Sequence, residues 1–203
     1  YISVVEALKH GGVANRAKVN IKWIDSETVT RENAAELLGD VSGILVPGGF
    51  GSRGIDGKIY AIEYARTHQI PFLGLCLGMQ LSIVEFARDV VGFTDAHSEE
   101  LDPSTTHPVI HLMPDQDGVE DIGGTLRLGS YPCHLDKDSK AYTLYGEEII
   151  HERHRHRYEV NNYYRDDLEK HGMSLCGLSP DGRIVEMCEI PSHPWFVATQ
   201  AHP

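Results

Sequence analysis

An α/β fold, a doubly wound and mostly parallel sheet flanked by helices, is the architecture the sequence predicts, and three observations carry that prediction. Gly43-Ile44-Leu45-Val46 and Pro71-Phe72-Leu73-Gly74-Leu75 are short continuous apolar runs, the pattern of strands buried on both faces of a parallel sheet. Each run ends in glycines and is followed by an amphipathic segment with helical spacing,. The links are short, and strand-helix-strand-helix order calls for parallel strands joined by helical crossovers. The 203 residues, 41% of them apolar, suffice for one domain spanning 1–203, whose core buries about 70% of the unfolded surface without a disulfide or metal staple.

Taken in order, Ser3 and Glu6 have capping-box spacing, and the helical run Val4 to His10 is expected to stop at Gly11-Gly12,. Val19, Ile21 and Trp23 alternate with polar neighbours, which predicts a strand,. Thr30 is placed to cap a short helix ending near Gly39,. Beyond the glycine-rich loop Phe50 to Gly57, the residues Ile59, Ala61, Ile62 and Ala65 give a helix up to His68, and a second helix runs from Met79 to Val91,. The second half changes character. Shorter strands are expected near Thr125 to Leu128 and Glu148 to Glu152, a helix from Tyr163 to Lys170, a hairpin turning at Ser179-Pro180-Asp181-Gly182, and a strand through Trp195 to Gln200,.

Eighteen Lys plus Arg against thirty Asp plus Glu leave a formal charge of −12, which repels phosphate backbones and anionic lipid heads, so neither nucleic acid nor membrane is an expected partner. No stretch approaches the apolar length of a membrane span, and Tyr1 to His10 carries Glu6 and Lys9 where a signal peptide needs an apolar run,. A soluble, cytoplasmic, unprocessed chain is the expectation. Cys76, Cys133, Cys176 and Cys188 are widely spaced with no Cys-x-x-Cys pair, which argues against a zinc ribbon or disulfide scaffold and for a reducing setting.

Chemistry concentrates at Gly74-Leu75-Cys76-Leu77-Gly78, where a buried strand meets a helix. In a nucleophile elbow, small residues two before and two after the nucleophile let strand and helix pass closely. The helix N-terminus there favours the thiolate of Cys76; the bland alternative is a small buried cysteine at a bend. Pro47-Gly48-Gly49-Phe50-Gly51 follows the preceding strand, at the edge where open α/β sheets bind ligands, and its backbone N–H could join that of Leu77 in an oxyanion hole,. His202 lies just past the last strand and so can also reach a strand's carboxyl end. In His151-Glu152-Arg153-His154-Arg155-His156-Arg157-Tyr158 the interleaved arginines argue against a metal and suit a carboxylate,; no metal site is expected.

At these residues the sequence resembles the class I (triad) glutamine amidotransferase domain of the CTP synthase family. The resemblance is carried by Gly43 to Gly51, Pro71 to Gln80, Gly123-Gly124-Thr125-Leu126-Arg127-Leu128-Gly129, Glu152 to Glu159 and His193-Pro194-Trp195-Phe196. The elbow alone indicates only a triad glutaminase; the arginine-histidine run and the Gly-Gly-Thr-Leu-Arg-Leu-Gly segment narrow it. The resemblance implies a glutamine amidotransferase-like fold with a flavodoxin-like core, and glutamine hydrolysis by Cys76 with His202 as base. It implies Gly49 and Leu77 as oxyanion donors and Gln80, Glu100 and Arg157 as holders of the glutamine α-amino and α-carboxylate groups, with Gly48, Phe50 and Tyr158 lining the site.

It further implies GTP as an activator acting near Arg53, in the Phe50 to Gly57 loop, and near Arg127. No cofactor is expected in this domain. The whole enzyme would use ATP and magnesium, with a synthetase domain as partner and a homo-oligomeric state. That domain is absent from this chain, which carries no Gly-x-x-x-x-Gly-Lys-[Ser/Thr] motif,. By the same resemblance the family domain has a strand before the first helix and a triad glutamate two positions after His202, and both are expected outside residues 1–203. The competing readings are an inactive glutamine- or nucleotide-binding module on the same fold and a γ-glutamyl cysteine hydrolase.

Overall fold

The computed structural model describes residues 2–113 and 127–203. In its larger sheet the parallel strands are β1 (Ile44–Val46), β2 (Phe72–Leu75) and β10 (Phe196–Thr199), with β2 in the middle. Their register sets Val46 beside Gly74 and Leu75 beside Thr199, so all three carboxyl ends finish at one level. The sheet continues from β10 through β9 (Val185–Glu189), β8 (Ser174–Leu178), β5 (Arg127–Leu135) and β6 (Ile149–His156), each antiparallel to its neighbour. A second sheet holds β3 (His97–Ser98), β4 (Pro108–Leu112) and β7 (Tyr158–Val160). The expected parallel core thus frames one edge, and the hairpin-rich second half extends it antiparallel, because hairpins need only short turns.

The helices are α1 (Ile2–Ala14), α2 (Ala34–Leu38), α3 (Ile55–Thr67), α4 (Leu77–Phe86), α5 (Lys140–Tyr145) and α6 (Arg165–Lys170). Every residue of α4 is buried, as expected of a helix apolar all round that is covered on several sides. It continues as a single π-turn over Ala87–Val91 before Gly92 ends it. Phe72 and Phe196, opposite one another on β2 and β10, stack with ring centroids 4.4 Å apart. They seat the parallel strands on the shared core.

Two expectations are corrected. The first helix does not stop at Gly11-Gly12 but runs through both to Ala14. Gly12 instead serves close approach: the chain turns back so that Ala17 N–H donates to Gly12 O at 2.8 Å, and a Cβ on Gly12 would lie 2.7 Å from Ala17 O. Val19 to Trp23 forms no strand; Trp23 is 77% exposed, and alternation makes a strand only where a neighbouring strand or core receives one face. Thr30 caps a turn over Arg31–Asn33 that leads into α2, exchanging hydrogen bonds with Asn33. The strand expected from Thr125 begins at Arg127 and extends to Leu135, while Gly123-Gly124-Thr125-Leu126 lie outside the described residues. Among the described residues no helix is long and apolar enough to cross a membrane.

Candidate active site

The turn from β2 into α4 forces Cys76 to φ 52°, ψ −104°, a region that costs an L-residue about 1–3 kcal/mol and recurs at functional sites. Its neighbours make the turn possible. A Cβ on Gly78 would sit 2.0 Å from Val46 O of β1, and one on Gly74 would sit 2.9 Å from Gly78. Backbone bonds then hold the elbow: Cys76 N–H donates to Thr199 O at 2.8 Å, and Gln80 N–H to Cys76 O at 3.1 Å.

The level carboxyl ends of β1, β2 and β10 bring Gly48-Gly49, Cys76 and His202 together. The place a Gly48 side chain would occupy lies 2.7 Å from His202 Cε1 and 3.4 Å from Cys76 Cβ, so the imidazole and the thiol flank one point. Gly49 adjoins Leu77 in the same way, at 3.6 Å from its side chain. His202 is pinned from the other side, its N–H donating to Arg153 O of β6 at 2.8 Å.

Sulfur electrostatics correct one expectation. Burial pushes the Cys76 thiol up to about 11, outweighing the Leu77 N–H and the Gln200 amide, which favour the thiolate; Glu159 and Glu100 raise it further. The helix terminus is present, but desolvation of the charged form is the larger effect. In the resting site the thiol lies 3.9 Å from Arg155 O and receives Gln200 Nε2–H at 3.5 Å. Burial, followed by the charges of His156, Arg153, His154 and Arg155, lowers the His202 pKa, which keeps the imidazole neutral and able to take a proton.

Of the residues expected to hold the substrate, Arg157 and Tyr158 are half-buried, Glu100 and Phe50 are exposed, and Gln80 is buried. The buried Arg157 Nε has no hydrogen-bond partner among the described residues, a donor left for an anion. Desolvation raises the Glu100 pKa and the Arg157 guanidinium lowers it, so the two charges lie near one another. Desolvation raises the Tyr158 pKa first, Glu100 second. Gln80 uses Nε2 twice, donating to Tyr158 O at 3.1 Å and to Gln200 Oε1 at 3.2 Å. Its Oε1 can therefore receive only a donor. Arg155 lies over the Phe50 ring, 5.8 Å from its centroid.

Two histidines of β6, His154 and His156, are buried, whereas His151 is exposed. His154 Nε2 lies 2.8 Å from Glu186 Oε2, His154 Nδ1 2.8 Å from His156 Nε2, and His156 Nδ1 3.1 Å from Glu159 Oε1. Arg127 pairs with Glu186, approaches Glu159 to 4.0 Å and lies over the Tyr131 ring. Arg127 is thus buried in an ion-pair cluster, whereas Arg53 is exposed and donates to Glu27 Oε2 at 3.2 Å. Among the described residues no group of three or more His, Cys, Asp or Glu is arranged to hold a metal. Glu159 and Glu186, in β7 and β9, and Gln200, just past β10, were not read as site residues from the sequence; of these only Gln200, two residues before His202, carried a signal that could have marked it.

The family model for class-I glutamine amidotransferases matches residues 1–203, so the chain belongs to the class-I glutamine amidotransferase family. Its particular likeness is to the glutaminase domain of CTP synthases. A Trypanosoma brucei CTPS glutaminase domain with bound acivicin matches with a TM-score of 0.93 at 38% identity, covering all of this chain and 80% of that one. The CTP synthases of Geobacillus kaustophilus and Clostridium acetobutylicum are 62% and 60% identical over all 203 residues. The chain spans 38% of the length of each.

Proposed function

We propose that this chain is the glutamine-hydrolysing part of a CTP synthase, releasing ammonia for a synthetase domain that aminates UTP to CTP with ATP and magnesium. The observation that carries the glutaminase reading is the strained Cys76 flanked, at one strand edge, by His202 and the Gly48-Gly49 loop. The inactive-module and γ-glutamyl hydrolase readings are not favoured, since the whole chain matches CTP synthases and their glutaminase domain.

Cys76 Sγ–H gives its proton to His202 and the sulfur attacks the side-chain amide carbon of L-glutamine, forming a C–S bond and an oxyanion that the Gly49 and Leu77 N–H groups receive. The His202 imidazolium returns the proton to the amide nitrogen, the C–N bond breaks and ammonia leaves. Water, deprotonated by His202, then attacks the thioester carbon, the C–S bond breaks, the sulfur regains a proton and glutamate departs. Proton transfer to His202 within the pair is the natural route to a thiolate whose free titration lies so high,. The Arg157 Nε faces the α-carboxylate, while Glu100 and the acceptor-only Gln80 Oε1 face the α-ammonium,. Gly48, Phe50 and Tyr158 wall the pocket.

GTP as an activator, a homo-oligomeric whole enzyme and a cytoplasmic setting belong to the same reading. Arg53, on the surface beside the glycine loop, is the nucleotide contact this reading favours; Arg127 would act through the cluster that buries it. The test of the core claim is hydrolysis of glutamine to glutamate by the purified protein. Turnover abolished in Cys76→Ala supports it, and equal turnover in the two proteins overturns it. A weaker GTP response in Arg53→Ala tests the activator assignment.

A further inference from the structure

We propose that Gln200 is a built-in hydrogen-bond donor to the nucleophilic sulfur, and that Gln80 locks it in that role. A glutamine amide offers a donor at one end and an acceptor at the other, and which end faces a partner follows from the surrounding network. Here a backbone carbonyl decides. Tyr158 O can only accept, so the end of Gln80 that meets it at 3.1 Å is Nε2. The same Nε2 meets Gln200 at 3.2 Å, so Gln200 presents its Oε1 there. The opposite end of Gln200, 3.5 Å from Cys76 Sγ, is therefore the donor Nε2. Gln200 is fully buried and Gln80 nearly so, so neither amide is free to turn and re-pair with water.

The donor matters because little else beside the sulfur favours its anion. Among the described residues the other contact that does so is the Leu77 N–H, while Arg155 O faces the sulfur with a lone pair at 3.9 Å, and Glu159 and Glu100 add unfavourable charge. A donor aimed at a developing anion in a dry site strengthens as charge builds and needs no reorientation when the reaction occurs. Backbone also fixes Gln200: its N–H donates to Glu186 O at 2.8 Å, tying the donor to β9. Gln80, which the glutaminase reading places on the substrate, thereby couples occupancy of the glutamine pocket to the sulfur. The proposal deepens the glutaminase reading and rests on it for the consequence in turnover, while the sulfur chemistry is readable without glutamine.

The experiment is the rate of alkylation of Cys76 by iodoacetamide, followed on its tryptic peptide by mass spectrometry, in the parent protein and in Gln200→Met and Gln200→Glu. Loss of a hydrogen bond to a charged group shifts a titration by about one to two pH units, so below the thiol midpoint Gln200→Met is expected to alkylate about ten- to a hundredfold more slowly. Gln200→Glu keeps volume and access but replaces the donor by an acceptor, and is expected to be at least as slow. Steric shielding alone would leave Gln200→Glu at the parent rate, and that result overturns the proposal, as does a parent-like rate in Gln200→Met. Should circular dichroism show that both Gln200 variants are unfolded, Gln80→Met decides: it unlocks the donor, and slower alkylation by several-fold is expected, a parent rate being the overturning result. In turnover, the proposal expects Gln200→Met to lower kcat while KM for glutamine stays within about twofold. A parent protein that alkylates as expected but hydrolyses no glutamine would sink the glutaminase reading and leave the donor assignment intact.

Discussion

Cys76 shares its burial with Cys133, Cys176 and Cys188, but only Cys76 stands at a strained turn beside an imidazole. Burial pushes Cys133 and Cys188 up to about 12 and Cys176 higher still, which leaves them as inert apolar fillers. A glutamine-mimicking chloroketone is therefore expected to label Cys76 alone, as peptide mapping would show; equal labelling of Cys133 would refute the assignment. The acid limb of the reaction follows from His202. Its pKa is lowered below the ordinary 6.5 by burial and nearby cationic groups, so the neutral base persists through neutral pH and is lost as pH falls through that lowered value. The kcat/KM profile should accordingly fall on the acid side with a midpoint below 6.5,; a midpoint above it would contradict the site. Arg157→Ala should weaken glutamine binding by about 2–5 kcal/mol, since it strands a carboxylate in a partly dry cleft. An unchanged KM would return that arginine to the surface.

Elements packed by contact alone place the tightest limits on the backbone. Gly78 lies in the first turn of α4 against β1, and because a Cβ there would meet Val46 O at 2.0 Å, Gly78→Ala must move the helix or the strand. Overpacking of this kind costs about 1–3 kcal/mol, and an ångström of displacement at the elbow costs about a hundredfold in rate; thermal melts and turnover together check both. Gly11 is the opposite case. It lies inside α1 with nothing within 4 Å of a built Cβ, so Gly11→Ala should stabilise by about 0.5–1 kcal/mol. A small rise in Tm is the expected reading; a fall would mean that the helix is not continuous through the glycine pair.

The two sheets are joined by charge as well as by apolar packing. Arg127 of β5 and His156 of β6 belong to the seven-stranded sheet, Glu159 to the three-stranded one, and Glu186 of β9 closes the cluster against His154. Removing one partner of such a buried set leaves an uncompensated charge, at a cost of about 3–5 kcal/mol. Arg127→Met should lower stability by that amount in a urea titration. Unchanged stability, with only the nucleotide response lost, would show that Arg127 acts by contact with nucleotide and not through the fold.

The stretch from Gly43 to Phe86, with the elbow, the glycine loop and two buried strands, was legible in the sequence because each signal there is local: a run of apolar residues, a glycine pair, a helical spacing. Cys76 and the glycine loop could be named from such signals, since the end of a parallel strand reaches the site by topology alone, whereas His202, one of twelve histidines, was singled out as the base by the family resemblance. The alternation at Val19 to Trp23 misled, because a strand is defined by its neighbour and the exposed Trp23 has none,. The long β5–β6 ribbon, the burial of Arg127 and the aim of Gln200 arise from pairings between residues far apart in the chain, 120 positions for Gln80 and Gln200. No local pattern encodes those distances. Whether desolvation or a helix terminus governs the Cys76 sulfur was likewise settled only by folding, since burial and its counter-charges come from strands far along the chain,.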